Sequence, residues 1–151
     1  MRILGLDFGD KTIGVSMSDP FGWTAQGIEV IRRDNPGEFK KSMRRLAELV
    51  EGNQVETIVL GYPKNLDNSE GERCVKTKEF EERLVRRFPK VPVVLWDERF
   101  STIAAERTLR EADLSHDKRK SVIDKMAAVH ILQGYLDSLS RKKKQEEIDS
   151  V

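Results

Sequence analysis

The stretch RILGLDFGDKTIGVSMS constrains the fold more than any other part of the chain. RILGLDF is an apolar, strand-like run. FGDK supplies turn chemistry, and TIGVSMS alternates enough to return as a hairpin partner. A third run, TAQGIEVI, extends the hairpin into an antiparallel meander before any helix begins. After NPG the period changes, and in FKKSMRRLAELVEG the residues Phe39, Met43, Leu46, Ala47 and Val50 share one helical face. TIVLGYP reads as a buried strand. A charged helix is expected from Glu72 to Phe88, after which Pro89 and Pro92 bracket the start of the strand VPVVLW. Short charged helical material is expected from Thr102 to Leu114. The last element begins near Ser121, carries Val122, Met126, Val129 and Tyr135 at helical spacing, and ends near Leu139. The order βββαβαβα predicts an α/β domain on a mixed sheet, three antiparallel strands followed by parallel ones, flanked by helices.

The chain has 151 residues, enough for one core and no second lobe. Residues 1–140 are expected to form the domain. RKKKQEEIDSV, residues 141–151, is a charged tail low in apolar residues and is expected to be frayed or disordered. Although 35% of residues are charged, the formal net charge is only +1, so nucleic-acid binding has to come from local patches. Cys74 is the single cysteine, and MRILGLDFG has neither an apolar signal core nor a cleavage site. Both point to a reduced, cytoplasmic protein. The longest apolar runs are strand-sized, so no membrane role is expected.

Three acidic stretches stand where elements begin or end. Asp7 lies among Ile3, Leu4, Leu6 and Phe8, where an unpaired carboxylate is costly to bury. A turn acid would explain it, yet Gly9 and Asp10 already supply the turn. Asp97 and Glu98 follow the last strand directly. Alone they read as partners of Arg99 or as acids near a helix N-terminus. Asp124 also has a plain explanation, because Ser121 and Asp124 form an S-x-x-D capping box. It is the conjunction that favours function: strand ends in such sheets converge on one edge, and crowded carboxylates persist with shared protons or hard cations such as Mg²⁺.

GDKTIG offers backbone N–H groups and Lys11 to a phosphate, although turns of this kind are common in hairpins. GxGxxG and GxxxxGK[ST] are absent, which argues against dinucleotide binding and P-loop chemistry. His116 and His130 have no zinc-site spacing and read as surface or packing residues. Most basic clusters read as solvated helix faces. Lys118, Arg119 and Lys120 differ because they precede Asp124 and can hold a phosphodiester backbone beside it. Arg99 is a further candidate for the same task.

GLDFGDKTIGVSMSD, GYPKNLDNSEG, DERFST and the D-x-x-AA-x-x-ILQ-x-YL pattern from Asp124 together resemble the YqgF/RuvX family, described as Holliday-junction-resolvase-like and as nucleases of pre-16S ribosomal RNA. The resemblance spans Gly5 to Leu136. It implies a ribonuclease H-like fold with a five-stranded mixed sheet. It maps the catalytic and metal-binding acids onto Asp7, Asp97 and Asp124, with Glu98 as partner or substitute for Asp97. Thr12 stands where an arginine is frequent, and Asn68 where a glycine is frequent. The implied activity is Mg²⁺- or Mn²⁺-dependent hydrolysis of phosphodiesters in 5′-end processing of pre-16S rRNA during ribosome biogenesis, with Asp7 bridging two metals. The implied partners are structured RNA, branched DNA and ribosomal precursor particles, for a monomer or a homodimer. The alternatives are a Holliday junction resolvase in DNA recombination and repair, and a non-catalytic RNA-binding assembly factor. An actin-like or sugar-kinase-like ATPase shares the opening motif but needs a second lobe.

Overall fold

The computed structural model of the protein describes residues 2–63, 71–97 and 116–150, with residues 116–121 described by their backbone alone. The elements are β1 (Arg2–Phe8), β2 (Thr12–Ser18), β3 (Ala25–Arg32), α1 (Lys40–Gly52), β4 (Val55–Tyr62), α2 (Glu72–Arg87), β5 (Val93–Asp97) and α3 (His116–Asp149). The strand order is β3-β2-β1-β4-β5. β1–β2 and β2–β3 pair antiparallel, while β1–β4 and β4–β5 pair parallel. The expected meander followed by parallel strands is therefore the observed sheet. The helical segment expected from Thr102 to Leu114 lies outside the described residues. Among the described residues no helix is long and apolar enough to cross a membrane.

Strand alternation divides the sheet into two unlike faces. Leu4, Leu6 and Phe8 of β1, with Ile13, Val15 and Met17 of β2, enter a core closed by Leu46 and Val50 of α1 and by Phe80 and Leu84 of α2. On the other face Ile3 and Val59 meet Ile131, Leu132 and Leu136 of α3. Here the strands carry small residues, and the helix comes close. A Cβ on Gly5 would stand 2.7 Å from the Leu132 Cβ, and one on Gly14 would collide with the main-chain carbonyl of Asp124. Ser16, fully buried, donates its hydroxyl to the Ala128 carbonyl at 2.7 Å, which satisfies that hydroxyl against the helix.

Two expectations for the last helix need correction. It starts at His116, so Ser121 and Asp124 lie inside it and form no capping box. Among its described side chains Ala128, Ile131, Leu132 and Leu136 are buried, and Val122, Met126, Val129 and Tyr135, at the expected helical spacing, are half-buried beside them. It also continues to Asp149, so the tail is helical. Arg, Lys, Gln and Glu are strong helix formers, the tail contains neither Gly nor Pro, and Gln145 bonds Asp149 one turn on at 3.0 Å. Polarity of the sequence is no obstacle to a helix already nucleated on a packed segment.

Arg33, at the end of β3, ties down the β1–β2 turn. Its guanidinium donates to the carbonyls of Gly9 and Asp10, the latter at 2.7 Å, and to that of Pro36 at 3.0 Å. The group lies between the rings of Phe8 and Phe39, 4.7 and 4.8 Å from their centroids. Burial pushes its pKa below the ordinary arginine value, and Asp10 opposes that shift. It borders a cavity of about 490 Å³ between the turn and α2, lined also by Phe39, Lys76 and Arg83.

Candidate active site

Asp7 lies on the face of β1 that meets α3, two positions from Gly5, and is half-buried. Its antiparallel partner is Gly14. Directly opposed residues send their Cβ bonds to the same face, about 5 Å apart. The space above Gly14 is filled by the main chain of Asp124. Asp7 and Asp124, 117 positions apart in sequence, are thus brought to one place by a glycine that has no side chain to hold them apart. Asp124 is also oriented: the buried Thr12 donates its hydroxyl to Asp124 Oδ2 at 3.1 Å.

The position of Asp97 is different. It pairs with Tyr62 across β4–β5, and its predecessor Trp96 lies edge-on to Tyr135 of α3. Side chains alternate along a strand, so Asp97 falls on the opposite face, that of Tyr62 and Lys78. Glu98 and Arg99 lie outside the described residues. Lys118, Arg119 and Lys120 have their backbone in the first turns of α3, ahead of Asp124, and their side chains are outside the described residues.

The phosphate-cradle expectation for GDKTIG loses part of its basis. The Gly9 N–H is taken by the Thr12 carbonyl at 2.8 Å, and the Asp10 carboxylate pairs with Lys76 at 3.3 Å. Lys11 is exposed at the turn. Sequence reasoning missed Thr12 as a donor to Asp124 and Gly14 as the contact point of α3. The small residues Thr12, Gly14, Ser16 and Ser18 at every second position of β2 were the available signal.

Hard carboxylate oxygens on Asp7 and Asp124 suit Mg²⁺ or Mn²⁺, which are commonly held by one or two protein carboxylates together with substrate phosphates. Among the described residues no group of three His, Cys, Asp or Glu forms a metal-holding set unaided. The pair therefore fits a cation completed by a further acid or by the substrate. Loss of the Thr12 hydroxyl has a defined consequence. Thr12→Val, close in shape, is expected to cost about 1 kcal/mol of stability and to lower turnover several-fold with little change in KM. Thermal melts and steady-state kinetics check both effects.

The family description "RuvX: Holliday junction resolvase" matches residues 1–138. The chain belongs to the RuvX family. This RuvX chain is 59% identical over 140 residues to a Bacillus licheniformis protein named "Putative pre-16S rRNA nuclease", covering 93% of this chain and 99% of that one. It is 50% identical over 143 residues to an Agathobacter rectalis protein of the same name, covering 95% and 99%. Among solved structures, the RuvX chain superposes on T. thermophilus RuvC in complex with a Holliday junction substrate with a TM-score of 0.54, at 14% identity, over 92% of this chain and 96% of that one. That likeness establishes the ribonuclease H-like fold of the resolvases.

Proposed function

We propose that this RuvX chain is a divalent-cation-dependent nuclease that hydrolyses phosphodiesters of precursor 16S rRNA. The observation that carries the reading is the meeting of Asp7 and Asp124 over Gly14, with Asp124 held by Thr12. The names of the relatives at 50% and 59% identity support the RNA substrate. Asp7 and Asp124 would hold the cation, with a third carboxylate from the Asp97–Glu98 pair. When bound, a divalent cation supplies Lewis-acid stabilisation of the charge that develops on the phosphoryl oxygens. Asp7, fixed by the β1–β2 ladder, and Asp124, fixed by Thr12, keep the carboxylates in place without reorganisation during reaction. Lys118, Arg119, Lys120 and Arg99 hold the substrate backbone by charge and carry no sequence information, while Lys11 adds a cation at the turn. Homology to proteins described as Holliday junction resolvases favours a second reading, a four-way DNA junction as substrate.

Parallel assays on precursor rRNA and a synthetic four-way junction, with Mg²⁺ and with Mn²⁺, test the reading. Metal-dependent cleavage of the RNA is expected. Cleavage of the junction alone would transfer the function to DNA, and binding of either without cleavage would leave an assembly factor. Of the Asp97–Glu98 pair, Asp97 shares its face of the sheet with Tyr62, so Asp97→Asn is expected to lower kcat by under about 10-fold and Glu98→Gln by about 10²-fold or more. Equal losses, or the reverse order, would return Asp97 to the metal.

A further inference from the structure

The β2–β3 turn lies at the end of the sheet away from Asp7 and is more firmly built than a connecting turn requires. The Asp19 carboxylate accepts from the N–H groups of Phe21, Trp23 and Thr24 at 2.9, 3.0 and 3.1 Å and from the Thr24 hydroxyl at 2.8 Å. These bonds hold its pKa below the ordinary aspartate value. Gly22 takes φ 74°, the left-handed conformation that a turn of this shape demands. From α3, Gln133 donates to the Trp23 carbonyl at 3.1 Å. What this scaffold displays is a pair of stacked rings, Phe21 and Trp23, with centroids 5.3 Å apart and 29° between planes. They are 71% and 73% exposed, the two most exposed large apolar side chains among the described residues.

The helix that holds this turn carries cations farther along. α3 passes from Asp124, at the Asp7 edge, to Gln133, which also accepts from the Ala25 N–H at 2.9 Å, and then leaves the sheet beyond Leu136. The exposed run Arg141–Lys144 follows on the projecting part. At about 100° per residue, Lys144 returns to within about 20° of Gln133's helical stripe and Arg141 flanks it at about 80°, roughly 16 and 12 Å along the axis. The nearer acid, Asp137, is engaged by Gln133 at 3.0 Å. Glu146, Glu147 and Asp149 lie farther out, so the cationic run stands between the sheet and the acidic end of the helix.

We propose that Phe21 and Trp23, together with Arg141 and Lys144, form a binding site for single-stranded nucleic acid, with bases stacking on the rings and phosphates on the cations. Flat aromatic faces beside a basic stripe are the surface that unpaired bases require. A docked protein would call for a broad apolar patch, whereas the rings are bordered by Asp19, Gly22, Thr24 and Gln133. The site is about 20 Å from Asp7 along β2, so it grips substrate away from the acids and is separate from them. Its existence does not depend on whether the acids cleave.

Binding of the full chain to a short oligouridylate, without divalent metal, tests the site through anisotropy of the labelled strand and through tryptophan emission. Wild-type protein is expected to bind the single strand with quenching of Trp23. The double variant Phe21→Ala, Trp23→Ala should bind roughly 10- to 100-fold more weakly and lose the quench. Its melting curve should match wild type, because both side chains are exposed. Trp23→Phe should retain the affinity, and Arg141→Glu with Lys144→Glu should weaken binding and flatten its salt dependence. Undiminished affinity of the double variant, or unchanged emission at saturation, would overturn the proposal. So would unchanged affinity with loss of self-association in sedimentation, which would make the turn a contact with a second copy.

Discussion

Asp7→Asn is expected to abolish metal-dependent cleavage, by on the order of 10³-fold or more, while leaving the protein folded and at least as heat-stable without metal. The amide keeps the shape of the side chain and its place opposite Gly14 but removes the charge that holds a cation. Carboxylates brought close together repel each other when no cation lies between them, so neutralising one does not weaken the metal-free fold. The pairing of lost activity with unchanged or raised melting temperature separates a ligand from a residue that merely supports the fold. RNA affinity without metal should remain, because the groups that hold the backbone are untouched.

Gly14→Ala is expected to damage both stability and activity through a single methyl group. The added Cβ meets the main-chain carbonyl of Asp124, which cannot swing aside as a flexible side chain would. α3 has to lift from β2, at a cost of about 1–3 kcal/mol for overpacking, or about 3–12 °C in Tm for a chain of this size. Because the lift moves Asp124 relative to Asp7, cleavage should fall by about 10²-fold, the usual consequence of an ångström of misplacement. Gly27→Ala is the internal control. Its Cβ would find the nearest α3 atoms at 3.6 Å, an ordinary contact, and the variant should melt within about 1 kcal/mol of wild type. Equal behaviour of the two variants in melting and cleavage assays would mean that close approach at Gly14 does not set the site.

Much of this was legible in the sequence, for reasons specific to each element. β1, β2 and α1 follow their apolar period so closely that their boundaries agree with the expected ones to within a residue. The parallel placement of β4 and β5 followed from the helices that intervene between strands. The last helix was misjudged at both ends because local signals were given too much weight. Ser121 imitates a cap, and a charged tail imitates disorder, yet α3 is nucleated on the small-residue face of the sheet and propagates in both directions. Asp7 and Asp124 were identifiable as candidates, but their meeting depends on Gly14, whose role lies in the side chain it lacks. Thr12 was noticed only as a departure from the family's pattern; its hydroxyl orients Asp124. The face that Asp97 takes was beyond the sequence because it depends on the register of β5 against β4, Trp96 against Gly61 and Asp97 against Tyr62.

The proposed cation-binding edge joins acids remote in sequence. Anomalous diffraction from crystals of the wild-type protein grown with Mn²⁺ tests it most directly, with Asp7→Asn crystals as the control. A Mn²⁺ peak is expected within coordination distance of carboxylate oxygens from both Asp7 and Asp124, absent in the variant. A Mn²⁺ peak held elsewhere in the wild-type protein, or an edge that stays empty at saturating Mn²⁺ in the presence of bound RNA, would contradict it.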